Sequence, residues 1–504
     1  MFKNIRLYFF LILLAEILSF SGFVYPVVRE ACFFAILILT LVLSLQKLEY
    51  GLLILLGELF IGSKGYLFYF EQGGLAVSIR IALFLAVLSV WLAKMIVFWA
   101  KQDWRAAADK LKLPYWQYYA LLGAAVIWGG VNGYWQGNEF SNIFFDANSW
   151  LYWLIILPLS FVINEHGAEI NKFWGKIAAI FSASVAWIIT ETLLLLFFFS
   201  HNFGAAAAQA VYKWVRVTGV GEITFTPLGF YRIFIQSQLY ILVGLFIFIS
   251  LLLYLQLVNK RSLLIYYFIS LLGGMAVILA SFSRSFWLGA VVGLLCFYAL
   301  IFLRFYKEWR TVIWNMALTL SAAALAVGLI FLLVRFPYPE SIANFSPELL
   351  AQRALVAEAG VSSRWNLLPP LLREIKQAPI FGKGFGATVT YKTQDPRILE
   401  QNPTGEYTTY AFEWGYLDIW LKLGLLGLVV YLILLGKIIV AGIKIIKNYE
   451  LSITNLMTVG LLSGLVMVMV TSFFSPYLNH PLGIGYVVLI SLFIEKNKKP
   501  RFLS

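Results

Sequence analysis

Long apolar runs, each about as long as a membrane-spanning helix, occupy most of this chain. Windows of about 19 residues predict fourteen candidate helices. They cover residues 7–25, 28–45, 48–62, 76–98, 115–131, 150–164, 172–199, 230–257, 262–281, 285–303, 311–334, 416–436, 453–474 and 481–495. Three of them, 48–62, 150–164 and 481–495, are short for a hydrocarbon layer of about 30 Å, so twelve spans fit nearly as well. The pattern predicts an all-α, polytopic transmembrane bundle of about 12–14 helices.

The composition leads to the same class of protein. Of 504 residues, 61% are hydrophobic and 12% are charged, and the mean hydropathy is +0.83. Soluble domains carry about 25% charged residues, so a soluble fold could not bury this much apolar surface. The same figures exclude disordered, collagen-like and disulfide-stapled chains. Cys32 and Cys296 lie inside apolar runs and the three histidines are scattered, so we expect neither a metal nor another cofactor.

The net charge of +13 does not imply a nucleic-acid partner, because the basic residues gather on one side of the predicted membrane. With the N-terminus in the cytoplasm, an even number of spans puts both termini and every basic cluster on that side. The clusters are Lys3 and Arg6; Lys47; Lys101, Arg105, Lys110 and Lys112; Lys172 and Lys176; Lys260 and Arg261; Arg304, Lys307 and Arg310; Lys437, Lys444 and Lys447; and Lys496, Lys498, Lys499 and Arg501. We therefore expect a multi-pass membrane protein with both termini in the cytoplasm.

The chain divides into residues 1–334 with eleven spans, a large extracytoplasmic loop over 335–415, and residues 416–504 with three spans and a basic cytoplasmic tail. The loop holds eight of the fifteen prolines. Loops beyond about 15 residues are usually functional or disordered. Two helix signatures argue for order here: the cap Ser346-Pro347-Glu348, which opens a run to Gly360, and the amphipathic stretch 363–378.

The glycine-rich run 382–386, Gly-Lys-Gly-Phe-Gly, superficially resembles a phosphate loop. It lacks a Ser or Thr after the lysine and an apolar helix after the run. A tight turn that needs positive φ angles is the favoured interpretation. Lys383 remains a candidate phosphate ligand, because its ammonium group would be presented at that turn.

Three arginines on the predicted outer side are the strongest polar features. Arg284 lies in SFSRSFW (281–287), at the junction of two apolar helices, where a charge is costly and usually functional; the alternative is snorkelling to lipid headgroups. Arg232 is predicted to begin the helix 230–257, where arginines are common. Arg364 lies in the large loop and by itself would be a surface charge. Several arginines in one pocket would suit a diphosphate, because guanidinium makes bidentate contacts with phosphate oxygens.

Glu413 is the candidate general base. It lies among aromatic residues just before the helix 416–436, where apolar surroundings would raise the pKa of its carboxyl group. The alternative is an acid placed favourably at a helix N-terminus. Asp418 is expected to pair with Lys422 at i+4 as a structural feature. His201 and His480 are expected to be loop residues rather than catalytic ones.

Three stretches in this order resemble the O-antigen ligase and Wzy-type O-antigen polymerase superfamily, which are bacterial polytopic membrane glycosyltransferases. SFSRSFWLGAVVG (281–293) resembles the family's Ser-x-Ser-Arg helix start, and RWNLLPPLLREIKQAPIFGKGFG (364–386) is similar to its arginine and Gly-x-Gly element. EWGYLDIWLKLGLLGLVVYL (413–432) looks like its acidic or histidine position followed by the next helix. Together they cover about a third of the chain.

The resemblance implies a metal-independent glycosyltransferase that builds surface polysaccharide, such as O-antigen, capsule or exopolysaccharide, on the outer leaflet of the bacterial cytoplasmic (inner) membrane. Its donor would be a glycan linked to a polyprenyl diphosphate such as undecaprenyl diphosphate. Carried over by position, Arg284 and Arg364 would bind the donor diphosphate, with Arg232 and Lys383 as helpers, and Glu413 would activate the acceptor hydroxyl. Membrane lipid is a further partner, nucleic acid is not, and a chain-length regulator protein is left open.

The position at which ligases typically carry histidine holds Glu413 here, and Trp414 follows it. A glutamate at this place resembles the polymerase branch, so polymerase is favoured. The alternatives are a ligase that transfers glycan to a lipid or protein acceptor, and a lipid-linked glycan transporter or flippase. A transporter predicts inverted repeats and broken helices at matched positions, and charges at the bilayer midplane.

Overall fold

The structure is a computed structural model, which describes residues 2–73, 75–101, 112–218, 221–260, 263–355, 359–393, 396–448 and 452–498. Five of the basic residues used to predict the orientation lie outside these ranges: Arg105, Lys110, Arg261, Lys499 and Arg501. The described chain is a helical bundle with three small two-stranded hairpins, which confirms the predicted all-α polytopic class.

The first half of the chain contains the following elements in order: α1 Phe2–Val24, α2 Pro26–Gln46, α3 Leu48–Ile61, β1 Tyr69–Gln72, β2 Leu75–Ser78, α4 Ile79–Lys101, α5 Trp116–Trp135, α6 Phe140–Leu151, α7 Ile156–His166, α8 Ile170–Ser200, α9 Ala205–Val217, β3 Gly221–Phe225, β4 Tyr231–Ile235 and α10 Gln238–Leu257. A short 3₁₀ segment, Tyr152–Ile155, joins α6 to α7. Among the described helices that are long and apolar enough to cross a membrane, α10 is the most buried, since its side chains are enclosed almost all round.

The second half continues with α11 Leu264–Ala280, α12 Arg284–Phe305, α13 Trp309–Val334, α14 Pro347–Leu355, α15 Ala359–Gln377, β5 Val389–Lys392, α16 Pro396–Gln401, β6 Glu406–Thr409, α17 Gly415–Asn448, α18 Ile453–Thr471 and α19 Pro481–Asn497. Helices α11 and α18 pack on α10, and α12 packs on α18, so the C-terminal helices complete the core around α10.

Ten helical stretches of the described chain are long and apolar enough to cross a membrane. They are Lys3–Val24, Pro26–Gln46, Ile79–Lys101, Phe140–His166, Ile170–Ser200, Gln238–Leu257, Arg284–Arg304, Trp309–Val334, Gly415–Lys447 and Ile453–Thr471. The predicted span 150–164 is therefore the second part of a longer stretch. The predicted span 48–62 is α3, whose 14 residues rise only about 21 Å at 1.5 Å per residue. It is buried on nearly every side, which explains its apolar sequence.

The predicted helix 230–257 was wrong at its start. Residues 231–235 form β4, which pairs antiparallel with β3, and the helix begins only at Gln238. Arg232 consequently lies opposite Thr224 on a hairpin and begins no helix. Ile233 and Ile235 are buried on one face of the strand, a period of two that an averaged apolar window cannot distinguish from a helix.

The large loop 335–415 is ordered over its described residues and contains both predicted helices, α14 and α15. Residues 356–358 of the first predicted run lie outside the described chain. The sequence did not predict the hairpin of β5 and β6. One face of α15 carries Leu367, Leu371 and Ile375, which pack with Val389, Phe412 and Leu421 in a small separate core. This core fixes the loop against the start of α17.

Helix α17 is broken at Gly424, whose φ of 72° and ψ of 177° are not helical. The glycine-rich turn that follows α15 lies against this break. The Lys383 N–H donates to the Leu421 carbonyl at 2.6 Å, and the Leu425 N–H donates to the Pro379 carbonyl at 2.9 Å. Gly382, Gly384 and Gly386 all have positive φ, as the tight-turn interpretation requires. The turn therefore closes the break by supplying partners to backbone groups that the helix leaves unpaired.

Gly384→Ala is expected to destabilise the fold by a few kcal/mol. A Cβ built at Gly384 would lie 2.1 Å from the Gly133 backbone nitrogen, and the φ of 80° is itself unfavourable for alanine. Thermal unfolding of the detergent-solubilised protein measures the effect. The control is Gly137→Ala, since Gly137 also has positive φ but nothing lies within 4 Å of its Cβ position. Equal melting temperatures in the two variants would contradict the packing role of Gly384.

Candidate functional site

Four arginines meet at the end of the bundle that carries the large loop, which we call the loop end. Arg232 comes from β4, Arg284 from the first turn of α12, and Arg353 and Arg364 from α14 and α15. Burial and the positive charges of the other three arginines lower the pKa of the Arg364 guanidinium to about 10. All three arginines singled out in the sequence are thus close together, and Arg353 joins them. We call these four residues the arginine cluster.

Backbone carbonyls hold three members of the arginine cluster in place, two of them through the Ser281–Arg284 turn. Arg232 Nε donates to the Ser281 carbonyl at 2.9 Å, and Arg353 Nε donates to the Phe282 carbonyl at 3.2 Å. Arg284 Nε in turn donates to the Arg353 carbonyl at 2.8 Å. The three side chains and this turn therefore form one connected unit.

The turn itself is held by the Phe282 ring. Phe282 has a φ of +48° and is fully buried. Its ring stacks on Phe230 with centroids 4.6 Å apart, and Phe345 lies against Phe230 from the large loop. A buried aromatic ring at this reversal offsets the backbone strain of a positive φ at a non-glycine residue.

Glu413 joins the arginine cluster through Arg364, whose Nε donates to the Glu413 carboxylate. The neighbouring Trp414 Nε1 donates to the Arg364 carbonyl at 3.0 Å, and its ring lies 5.4 Å from that of Trp365. The Glu413 side chain is 51% exposed. The enclosed apolar environment expected for this carboxylate is therefore absent, because the aromatic side chains pack beside it and leave it in contact with solvent and a cation.

The site carries a large excess of positive charge. Within the part of the chain that the structure describes, four guanidinium groups, which stay protonated in proteins, lie together, and the Glu413 carboxylate pairs with one of them. Like charges held this close repel one another, and an anion between them would relieve the repulsion. Planar guanidinium groups bind phosphate oxygens in pairs, so the electrostatics favour a phosphate-bearing ligand.

A chain of hydroxyl groups runs beneath the Ser281–Arg284 turn, and sequence reasoning did not single it out. Ser283 Oγ lies 3.1 Å from Ser285 Oγ, which lies 3.0 Å from Ser475 Oγ. These contacts tie the start of α12 to the segment after α18. The sequence signal for this chain of hydroxyl groups was the alternation of Ser281, Ser283 and Ser285.

Sequence reasoning also missed Arg353. Its available signal was a basic residue in the last turn of a predicted loop helix.

Lys383 lies apart from the arginine cluster in its described contacts. Its ammonium group donates to the Glu374 carboxylate and, at 2.6 Å, to Gln377 Oε1 on the last turns of α15. The glycine-rich turn therefore directs Lys383 back onto the helix that precedes it. Its predicted role as a diphosphate ligand has no support in these contacts.

Lys383→Ala is accordingly expected to change glycan synthesis by less than about threefold. The side chain is partly exposed and ion-paired at the surface, where such pairs contribute about 0–1 kcal/mol. The measurement is complementation of a deletion strain, compared with Lys376→Ala on the same helix end. A loss of product comparable to that of an arginine-cluster variant would restore Lys383 to the site.

The predicted pair of Asp418 and Lys422 is confirmed at 2.6 Å. Lys422 also binds Asp146 of α6 at 2.7 Å, and the Gly386 N–H donates to the same Asp146 carboxylate at 2.8 Å. The buried ammonium thus links α6, the glycine-rich turn and α17 beside the break at Gly424. We assign these charges the structural role expected from the sequence, since each contacts another part of the scaffold.

The histidines match their expected place in connecting segments. His201 directly follows α8, and its ring nitrogens contact the carbonyls of Phe197 and Phe336. His480 caps α19, where its Nδ1 accepts the Leu482 N–H. Among the described residues, no three His, Cys, Asp or Glu side chains are grouped in a way that could hold a metal.

The fold and the site define a multi-pass membrane protein in which four arginines lie close together beside the carboxylate of Glu413. Residues 267–432 match the O-antigen ligase family model, Wzy_C. The matched segment, about a third of the chain, contains Arg284, Arg353, Arg364, Lys383 and Glu413. The match confirms the predicted resemblance to the O-antigen ligase and Wzy superfamily and supports a membrane enzyme of the O-antigen ligase or polymerase type. No curated protein matches the chain.

Proposed function

We propose that the protein polymerises surface polysaccharide on the outer leaflet of the bacterial inner membrane. The donor is an oligosaccharide linked to a polyprenyl diphosphate, and the acceptor is a second lipid-linked repeat. The observation that carries the proposal is the convergence of the arginine cluster and Glu413 at the loop end, all but Arg232 within the matched family segment. The large loop is extracytoplasmic and both termini are cytoplasmic in this proposal.

The arginine cluster binds the donor diphosphate. Arg284 and Arg364 make the principal contacts, and Arg232 and Arg353 complete the positive site. Because their guanidinium groups stay charged, they need no metal to neutralise the diphosphate. Backbone carbonyls already hold the Nε groups of Arg232, Arg284 and Arg353, so little reorganisation is needed when the ligand arrives.

Donor binding also prepares Glu413. In the described state its carboxylate is paired with Arg364. A diphosphate carries more negative charge than one carboxylate and competes for the same guanidinium. When the diphosphate binds the Arg364 guanidinium, the Glu413 carboxylate loses its ion pair beside the donor and can accept a proton. The base therefore becomes available only when a donor is present.

In the transfer step, an acceptor hydroxyl oxygen attacks the anomeric carbon of the donor sugar and forms a new glycosidic bond. The bond from that carbon to the diphosphate oxygen breaks, and the diphosphate leaves with the electron pair. Glu413 takes the proton of the acceptor hydroxyl. The arginine cluster stabilises the charge that develops on the leaving diphosphate.

The preference for a polymerase over a ligase depends on Glu413, which resembles the polymerase branch at the position where ligases typically carry histidine. Against a transporter, the proposed site lies at the loop end rather than at the middle of a span. Within the described chain, α17 is interrupted by non-helical backbone at Gly424. This break alone does not indicate a transporter, because a transporter would place a matching break in the other half.

The test is the size distribution of polyprenyl-linked glycans in membranes from cells with and without the gene. A polymerase predicts that single repeat units accumulate in the deletion strain and that long chains disappear. Long chains that remain on the lipid carrier would identify a ligase instead. Full-length product at its normal destination would overturn both forms of the proposal.

A further inference from the structure

A polar cavity lies at the loop end of the bundle, and its lining residues are outside the segment matched by the family model. They come from the segment after α3, the start of α4, the end of α6 with the 3₁₀ segment that follows, and the cap of α19. The volume of about 70 Å³ is room for about five water molecules, or for one small polar group of a larger ligand.

Two contacts place the cavity beside the candidate site. Tyr66 lines the cavity, and its hydroxyl is close enough to that of Tyr410 in the large loop for the two to interact electrostatically. Tyr410 is three residues before Glu413. On the other side, Ser475 contacts Ser285 and precedes the segment that caps α19. The cavity therefore lies next to the segment that carries Glu413.

Tyr152 gives the clearest indication of a ligand in this cavity. Its side chain is buried and lines the cavity, and its hydroxyl has no hydrogen-bond partner in the described part of the chain. Buried hydroxyl groups are nearly always paired, so an unpaired one at a polar cavity needs an explanation. A ligand that accepts a hydrogen bond would satisfy it.

His480 adds a second donor. Its Nδ1 accepts the Leu482 N–H over 3.3 Å, which leaves the proton of the neutral ring on Nε2. Burial and the positive charges of Arg80 and Lys64 lower the pKa of His480 to about 3, so the ring is neutral at ordinary pH. Both Tyr152 and His480 therefore offer a hydrogen to the cavity without adding charge.

The cavity has one positive charge that the described chain leaves unpaired. The Arg80 guanidinium donates to Glu58 at 2.9 and 3.0 Å and to the Ser63 carbonyl at 2.7 Å, so its charge is already neutralised. Lys64 is exposed at the edge of the cavity and forms no ion pair with a described residue. No carboxylate is among the described lining residues. One ammonium group and two neutral donors suit a ligand with a single negative charge.

A carboxylate meets these requirements better than a phosphate. It carries one negative charge, and its two oxygen atoms can accept several hydrogen bonds at once. A phosphate monoester carries about 1.5 to 2 negative charges at neutral pH, and the excess would stay uncompensated in a partly enclosed cavity. The arginine cluster, with four guanidinium groups, is the contrasting site that suits a more highly charged anion.

We propose that this cavity binds the carboxylate of an acidic sugar in the acceptor glycan, with the carboxylate among Lys64, Tyr152 and His480. The protein thereby selects repeat units that contain a uronic acid or another carboxylate-bearing sugar. These three residues set specificity and take no part in bond formation. That the ligand is a glycan rests on the proposed function, whereas the preference for a carboxylate rests on the cavity alone.

The experiment compares glucuronate with glucose, which carries a hydroxymethyl group in place of the carboxylate. Binding to the purified full-length protein in detergent is measured by saturation-transfer NMR titration. Arg284→Ala is the background, because the arginine cluster also attracts anions. Glucuronate is expected to bind about tenfold more tightly than glucose. Lys64→Ala should remove most of this preference and Tyr152→Phe should reduce it severalfold, whereas Lys213→Ala, which removes an exposed lysine of α9, should leave it unchanged.

Tyr152→Phe also separates binding from folding. It removes only a hydroxyl that is unpaired without ligand, so the melting temperature of the sugar-free protein should not fall. Tyr431→Phe is the matched contrast, because the equally buried Tyr431 hydroxyl donates to the Leu478 carbonyl at 2.8 Å and its loss should lower the melting temperature. Equal affinity for the two sugars, or a preference that survives both Lys64→Ala and Tyr152→Phe, would overturn the site. Tighter binding of glucose 6-phosphate than of glucuronate would overturn the choice of a carboxylate.

The composition of the glycan separates this inference from the proposed function. The single repeat units that accumulate in the deletion strain are expected to contain a carboxylate-bearing sugar. Accumulated repeats that are neutral would overturn the inference and leave the polymerase standing. Normal polysaccharide in the deletion strain, together with a glucuronate preference of the purified protein that depends on Lys64 and Tyr152, would support the carboxylate site and overturn the proposed function.

Discussion

Arg284→Ala is expected to lower glycan transfer by about two to three orders of magnitude, the usual cost of removing one charged donor from a transition state. Arg284 is held by the Arg353 carbonyl in the first turn of α12, next to the turn that fixes Arg232 and Arg353. Its loss removes a guanidinium from the place where the leaving diphosphate gains charge. The measurement is the rate of chain formation by purified protein from a lipid-linked donor, at equal protein level.

Arg284→Lys distinguishes charge from geometry. Lysine keeps the positive charge but cannot make the paired, planar contacts of guanidinium with phosphate oxygens. We expect it to recover only part of the loss and to remain roughly tenfold to a hundredfold below wild type. The matched control is Arg216→Ala, which removes an arginine of α9 that forms an exposed ion pair with Glu222 of β3. Wild-type rates in Arg284→Ala would exclude it from the site.

Glu413→Gln is expected to lower transfer by about two to four orders of magnitude, because the amide cannot accept the proton of the acceptor hydroxyl. The same variant should bind the donor at least as tightly as wild type, since the carboxylate that occupies Arg364 is gone. This opposite effect on binding and on rate is specific to the proposed exchange of partners at Arg364. Donor affinity and single-turnover transfer are both measured with the purified variant.

The control for Glu413→Gln is Glu222→Gln, which neutralises the acid of an exposed ion pair between β3 and α9. It should change neither donor affinity nor transfer. Weakened donor binding in Glu413→Gln would mean that the Glu413–Arg364 pair builds the site instead of competing with the donor. Normal transfer in that variant would remove Glu413 as the base and reopen the choice between polymerase and ligase.

The candidate site could be predicted from the sequence only in part. Arg284, Arg364 and Glu413 were recognisable because a charge at the end of an apolar run is costly and because motifs surround each of them. Arg353 was not singled out, since one arginine in an amphipathic loop helix looks like any solvated charge. Lys383 was singled out because a lysine between glycines suggests phosphate binding, and the structure shows that the turn directs its ammonium group to Glu374.

The environment expected for Glu413 shows why the other contacts of the candidate site could not be predicted without the tertiary structure. The run of aromatic residues around it suggested apolar burial, but Trp414 packs on Trp365 and the carboxylate is half exposed beside Arg364. Arg364 lies 49 residues away in the chain, and local patterns do not show which distant side chain will be the neighbour. Likewise, β4, the strand that carries Arg232, was not recognised in the sequence, because its apolar residues continue without interruption into those of α10.

By itself, the sequence determined that this is an all-α membrane bundle, approximately where its spans lie, and which superfamily it resembles. Hydropathy and short motifs are local properties, so they can be recognised without knowing which distant segments come together. Only the tertiary structure decided which arginines meet, that Glu413 is paired with one of them, and that Lys383 is turned away. These relationships depend on how the hairpin of β3 and β4, the Ser281–Arg284 turn and the large loop pack together, which involves residues far apart in the chain.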